Sequence, residues 1–331
     1  MNRLIRAAAA ILMLQLAAAH SQAEETRYRG LCDASAAVAL GPKHFVVADD
    51  DHHMLTIYQR GKPEAVTCVD LIKDSGECLR SGKPTKSDIE GAARIDDRIY
   101  WISSHSANSD GKFKKTRRQF FATDVLESAA GPTVSAATPP YTGLIEALVA
   151  DPRFADLRLA SEAGKGPEEP GGLNIEGLAA TPDKELLIGF RNPLSSNRVA
   201  SRRKALLVPL KNPADVLNKA APVFGDLIAI DLGGLGIRSI ELVGSQFVIV
   251  AGPFGPKSRV QGFVLYTWSG KAADAPRRVK GVDFGNMHPE ALFATGGKNE
   301  IYVLSDDGDD CPADKSFRGM ALTLPDPGKR P

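Results

Sequence analysis

Four times this chain repeats a short phrase in which an acidic residue, followed by small or apolar residues, opens a run that reads as a β-strand. The copies are Asp88-Ile89-Glu90-Gly91-Ala92, Asn174-Ile175-Glu176-Gly177-Leu178, Ser239-Ile240-Glu241-Leu242-Val243 and His288-Pro289-Glu290-Ala291-Leu292. A weaker fifth copy, Cys32-Asp33-Ala34-Ser35-Ala36, stands nearer the amino terminus. A second apolar run comes after each within about ten residues, at 45–48, 99–102, 186–190, 247–250 and 301–304. Such a unit cannot bury its own apolar face, so copies must stack on one another. Short apolar runs between Gly, Pro and Asp turns make four strands per unit, the content of one propeller blade.

The expected fold is therefore all-β, a β-propeller of five blades, with six as the alternative because the interval from Glu90 to Glu176 is long. The surplus in that interval, about 130–170, changes period: Leu144, Ile145, Leu148 and Val149 share one face of a helix. It reads as a small helical insertion, either a cover over a blade edge or a lid. A β-sandwich is the structural alternative, but it does not explain why the phrase recurs at each unit opening. The fifth unit is one strand short, and residues 26–30 can supply the missing strand and close the ring, which removes exposed sheet edges. Four cysteines allow three complete pairings. The preferred pairing is Cys32 with Cys311, fastening the same seam, and Cys68 with Cys78, closing a local loop. No Cys-x-x-Cys pair or Cys/His cluster of a zinc type is present.

Arg3 and Arg6, an apolar stretch over 7–19 and Ser21-Gln22-Ala23 have the order of a signal peptide. Residues 1–23 are set apart on that reading, an uncleaved anchor being the alternative, and 24–331 form a single propeller domain. The expected location is periplasmic or secreted. Without Arg3 and Arg6 the chain carries 39 basic against 40 acidic residues, a net charge near −1. That balance argues against nucleic acid as a partner. It leaves a small-molecule or phosphorylated substrate, with no membrane association after cleavage; oligomeric state is not legible.

In an up-and-down blade the second strand returns beside the beginning of the first. The second-strand ends, Asp49-Asp50-Asp51, Ser104-His105-Ser106, Arg191-Asn192, Gly252-Pro253 and Ser305-Asp306-Asp307, are then expected beside the acidic openings at one mouth of the central channel. Asp33, Glu90, Glu176, Glu241, Glu290 and Asp306 are the candidate metal ligands there. Calcium fits such an oxygen-rich mouth, because it takes six to eight oxygen ligands in flexible geometry. Glu176, Glu90, His105 and Arg191 are the catalytic candidates: two carboxylates, a base or acid, and a five-donor fork for an anion. The alternative is structural, with each Glu accepting backbone hydrogen bonds from the next blade. No phosphate loop, Gly-x-Ser-x-Gly elbow, His-Glu-x-x-His helix or dinucleotide fingerprint occurs, and no organic cofactor is expected.

The phrases around Glu90, Glu176 and Glu290 resemble a bacterial family known as domain of unknown function 3616, over most of the chain after residue 23. More distantly they are similar to the esterase-like phytase group, whose exported propeller-like domains also use an Asn-Ile-Glu-Gly phrase. The first resemblance implies no activity. The second implies metal-assisted hydrolysis of phosphate esters, with Glu90, Glu176 and Glu290 at the acidic positions. Two further readings stand beside it: a non-catalytic ligand-binding or scaffold propeller, and a weaker one, lactone or sugar oxidation at the mouth.

Overall fold

The computed structural model describes residues 25–71, 86–129, 131–196 and 202–326. Four-stranded antiparallel sheets repeat five times. The first comprises β2 (Ala34–Leu40), β3 (His44–Asp49), β4 (Met54–Gln59) and β5 (Ala65–Asp70). The second comprises β6 (Ile89–Ile95), β7 (Arg98–Ser103), β8 (Phe120–Ser128) and β9 (Gly131–Ala136). The third holds β10 (Asn174–Ala180), β11 (Leu186–Asn192), β12 (Ala205–Leu210) and β13 (Ile228–Ile230). The fourth holds β14 (Gly236–Val243), β15 (Gln246–Gly252), β16 (Val264–Trp268) and β17 (Arg277–Arg278). The last joins β18 (Pro289–Ala294), β19 (Glu300–Ser305) and β20 (Ser316–Thr323) to β1 (Glu25–Arg29), the first strand of the described chain.

The five inner strands, β2, β6, β10, β14 and β18, neighbour one another in a closed ring. The fold is a five-bladed β-propeller. β1 pairs antiparallel with β20 from Glu25↔Met320 to Arg29↔Ser316, so the two ends of the chain share a blade. The Cys32–Cys311 disulfide fastens that seam. Cys68 is also disulfide-bonded, but the expected partner Cys78 lies outside the described residues, as do residues 1–23. No helix among the described residues is long and apolar enough to cross a membrane.

Each interface between blades has its own apolar core. Phe45, Tyr58, Phe293 and Phe317 fill the seam between the last and first blades, whereas Ile99, Trp101 and Phe121 pack against Val46, Leu55 and Ile57 of the first. The insertion is smaller than residues 130–170. Residues 131–136 belong to the blade as β9, which the Pro- and Ser-containing sequence disguises, and only the stretch after β9 is added. There α1 (Leu144–Ala150), a 3₁₀ segment at Pro152–Leu157 and α2 (Leu159–Glu162) bury Leu144, Ile145, Leu148, Phe154 and Leu157 in the core shared with the second and third blades. The helices are an edge cover, as their apolar face requires.

Candidate functional site

The pairing of the first and second strands slips by one residue in every blade. The slips fall between Ala34 and Ala36, Ile89 and Gly91, Ile175 and Gly177, Ile237 and Ser239, and Pro289 and Ala291. The extra residues are Ser35, Glu90, Glu176, Arg238 and Glu290. A bulge leaves its extra residue outside the ladder and re-aims its side chain. Here five bulges stand at one end of a ring of five inner strands.

The residue after each bulge is small: Ala36, Gly91, Gly177, Ser239 and Ala291. The inner strands crowd there. A Cβ on Gly91 would lie 2.8 Å from Ile102 Cγ2 and 3.0 Å from Leu178 Cβ, and one on Gly177 would lie 2.7 Å from Ile237 Cγ2. The repeated phrase thus records a bulge followed by a residue small enough for the convergence.

This register corrects one expected site residue and shifts the alignment of another. In the fourth blade the equivalent of the acidic residue is Arg238, within Gly236-Ile237-Arg238-Ser239-Ile240. Glu241 stands three residues farther along β14, toward the opposite end of the channel, where it accepts a hydrogen bond from the Ala294 N–H. It is not at the mouth. In the first blade Ser35 takes the bulge and donates to the Ile89 carbonyl at 2.5 Å, a bond between blades. Asp33 lies two residues before it, level with Asp88, and still faces the mouth beside Asp306, with which it forms an isolated bridge. The Ile-x-small pattern of Ile89-Glu90-Gly91, Ile175-Glu176-Gly177 and Ile237-Arg238-Ser239 was the signal for the correct alignment, and charge at the middle position obscured it.

The mouth opens into a cavity of about 830 Å³ lined by Asp33, Asp50, Asp88, Glu90, Arg191, Arg238, His288, Glu290 and Asp306, among others. Its walls differ in electrostatics. On one wall Arg238 pairs with Glu176 at 3.0 Å and with Glu290. Arg191 reaches Glu176 at 2.8 Å and Glu168 at 3.0 Å, and Asn174 donates to Glu176 at 3.1 Å. Glu176 is 2 % exposed and held from three sides. Burial, then repulsion from Arg191, lowers Arg238 to about 10, with Glu176 and Glu90 opposing, so it remains a cation at neutral pH.

The other wall gathers Asp33, Asp50, Asp51, Asp88 and Glu90 around two cations. Lys86 pairs with Asp50 at 3.1 Å and Asp51 at 2.7 Å. Arg117 pairs with Asp88 at 3.1 Å, and Ser104 and Ser106 donate to the same Asp88 oxygen. Asp88 adopts a left-handed backbone, φ 53°, fixed by its N–H on the Asp50 carbonyl and by Ser104 N–H on its own carbonyl. One oxygen of each of Asp50, Asp88 and Glu90 lies within 4.8 Å of the other two. Asp50 Oδ1 is buried without a hydrogen bond. Glu90 is 9 % exposed and has no hydrogen bond or ion pair among the described residues. Burial, then the carboxylates of Glu176, Asp88 and Asp50, pushes Glu90 well above the usual carboxylate range. Burial likewise raises Asp50 to about 8 against the opposing charge of Lys86, and Asp33 to about 7 with Asp306 next in effect.

His105 does not reach the cavity. It is fully buried, its Nδ1 lies 2.7 Å from the Ser103 carbonyl oxygen, and burial lowers it to about 4. His288 does line the mouth, its N–H on Ser305 Oγ. Asp50, Asp88, Arg238 and Glu168 are the side chains whose part in the site the sequence reading missed. Asp50 appeared there only as a strand end, and Glu168 only within the 130–170 insertion.

Residues 127–288 match a family model described as Protein of unknown function (DUF3616). No curated protein matches. Among solved structures, the chain is similar to glutaminyl cyclase of Myxococcus xanthus at 11 % identity, TM-score 0.44, over 91 % of this chain and 96 % of that one. It is similar to the PQQ-bound aldose sugar dehydrogenase of Streptomyces coelicolor at 11 % identity, TM-score 0.41, over 91 % and 99 %. It is also similar to a putative oxidoreductase (glucose dehydrogenase) of Thermus thermophilus at 11 % identity, TM-score 0.43, over 91 % and 100 %. At that distance the likeness carries no argument about activity. The family-model match covers the stretch from the end of β8 to the residue before β18, and this chain resembles that family there.

Proposed function

We propose that the protein is an exported, divalent-cation-dependent hydrolase of small phosphate or other anionic esters, with the cation held by Asp50, Asp88 and Glu90 at the channel mouth. One observation carries this reading. Glu90 is nine-tenths buried, lines the cavity with no hydrogen bond or ion pair among the described residues, and has two further carboxylates within 4.8 Å. Oxygens bound to one Ca²⁺ at 2.3–2.6 Å are at most about 5 Å apart. An all-oxygen set suits Ca²⁺ or Mg²⁺ rather than a metal that prefers nitrogen or sulfur.

When bound, such a cation polarises an ester oxygen and lowers the pKa of a bound water. The residues around it divide the remaining work. Arg117 and the Ser104 and Ser106 hydroxyls orient Asp88, while Arg191, across the mouth, faces the charge that develops on the ester. The Cys32–Cys311 disulfide supports an oxidising location outside the cytoplasm. The reading of Glu90, Glu176 and Glu290 as the acidic positions of a metal-assisted hydrolase, which the phytase-like resemblance implies, narrows to Glu90, because Arg238 and Arg191 already neutralise the other two.

Calorimetric titration with CaCl₂ and MgCl₂, paired with hydrolysis of a chromogenic phosphomonoester, tests the proposal. Binding of one ion that is lost in Glu90→Gln, together with cation-dependent turnover, is the expected result. Binding without turnover of any ester would favour a scaffold propeller, for which the closed Glu176–Arg238–Glu290 network is the supporting observation. Absence of cation binding would sink the reading.

A further inference from the structure

Arg191 offers its guanidinium in two halves. Nη1 is committed to Glu176, a buried carboxylate that Arg238 and Asn174 also hold. Nη2 is capped by Glu168 at 3.0 Å, and Nε is buried without a hydrogen-bond partner. Nε and Nη2 together form the side-on edge of an arginine, whose two parallel N–H bonds match the two oxygens of a carboxylate or phosphate. Other arginines among the described residues show the edge fully used. Arg98 gives Nε and Nη2 to the two oxygens of Asp124, and Arg318 gives the same pair to Asp307. On Arg191 the edge is half used, by a carboxylate that is 53 % exposed.

Glu168 arrives on a loop that lines the mouth. Gly166, Pro167, Glu168 and Glu169 line the cavity, and Asn192 holds the loop through the Pro167 and Glu169 carbonyls at 3.0 and 2.7 Å. Lys257, from the loop after β15, pairs with Glu169. The backbone is anchored while the Glu168 side chain stays in water. An ion pair whose carboxylate is half in water holds that carboxylate less firmly than a fully enclosed one, so a ligand anion that uses both Nε and Nη2 has the advantage over Glu168.

We propose that the Nε–Nη2 edge of Arg191 is the subsite for an anionic group, carboxylate or phosphate, of the ligand, and that Glu168 is an internal stand-in which the ligand displaces. This rests on the mouth being the ligand site, as in the proposed function, and it assigns the specificity for acidic molecules to Arg191. Glu168 is then a competitor built into the site. The ligand is bound between the cation wall and this edge, with its anionic group at Arg191.

Titration of inorganic phosphate, and in parallel of acetate, into the full chain with and without CaCl₂ tests this. Glu168→Gln, on an exposed side chain, is expected to bind one of the two anions at least tenfold more tightly than the parent, with Ca²⁺ affinity unchanged. The anion that gains identifies the chemistry. Arg191→Lys, which keeps the charge but loses the side-on edge, is expected to bind that anion at least tenfold more weakly, with its thermal melt reporting that it is folded. Anion affinity in Glu168→Gln within twofold of the parent, while Ca²⁺ still binds, overturns the subsite and leaves the cation reading standing. The anion response without Ca²⁺ binding supports the subsite and removes the cation reading.

Discussion

Glu176 and Glu90 occupy the same place in neighbouring blades: the bulge residue, after an isoleucine and before a glycine. Their surroundings are opposite. Glu176 touches two guanidiniums and an amide, and its wall sets Arg191 and Arg238 against Glu176, Glu290 and Glu168. Glu90 shares its wall with Asp33, Asp50, Asp51 and Asp88, and Lys86 and Arg117 pair only with the aspartates. One repeated residue therefore does two jobs. Where a neighbouring blade supplies an arginine, the carboxylate becomes a strut between blades. Where none pairs with it, the carboxyl is left to a proton or a bound cation to neutralise, because an uncompensated buried carboxylate is expensive.

The most severe challenge to this contrast is to remove the strut. Arg238→Met leaves Glu176 and Glu290 buried with a lost partner, and is expected to cost about 3–5 kcal/mol of unfolding free energy, read by urea titration. A loss under about 1 kcal/mol would mean that the closed wall is no more closed than the open one.

Calcium probes the difference from the other side. At one hundred times its dissociation constant it is expected to stabilise the parent by about 2.7 kcal/mol, visible as a raised thermal midpoint, and to leave Glu90→Gln unmoved. Without calcium the two glutamines should diverge. Glu176→Gln weakens charged hydrogen bonds and is expected to lose about 1.5–3 kcal/mol, whereas Glu90→Gln, which replaces a carboxyl whose charged form burial and its acidic neighbours already disfavour, should be neutral or stabilising. Equal losses in the two variants would erase the distinction between the walls.

A last contrast concerns the acidic residue that is not at the mouth. Burial raises Glu241 to about 8, against the hydrogen bond from Ala294 N–H. Its folded pKa lies above its unfolded one, so its contribution to stability is complete below about pH 4 and is lost as pH rises through about 8. Glu241→Gln, which keeps an acceptor for Ala294, is expected to flatten the stability profile between pH 5 and 9. An unchanged slope would place the titration elsewhere.

Much of the architecture was legible because it depends on local patterns. The breaker-bounded apolar runs, the five openings and the missing strand of the last blade all follow from short-range chemistry, and the 26–30 segment meets β20 as the edge-closing argument requires. β9 was hidden because Gly131 and Pro132, both poor strand formers, open it ahead of Thr133 and Val134, and it owes its state to pairing with β8. The gathering at one mouth was legible for Glu90, Glu176, Glu290 and Arg191, which the bulges and strand ends bring together, and for Asp33 and Asp306. It was misread at Glu241, where a carboxylate near the right spacing concealed that Arg238 fills the equivalent position, and at His105, whose polar neighbours gave no sign of complete burial.

Periodicity and hairpin geometry are properties of the chain read in one dimension, and they were enough for the repeat, the strand order within each blade and the end of the ring at which polar groups gather. Which carboxylates are partnered was settled only by the assembled ring. That depends on which blade stands beside which, and on whether the side chain its bulge turns inward is an arginine, a serine or another acid. Charge balance at a ring centre is a sum over five separate stretches of chain, and no single stretch contains it.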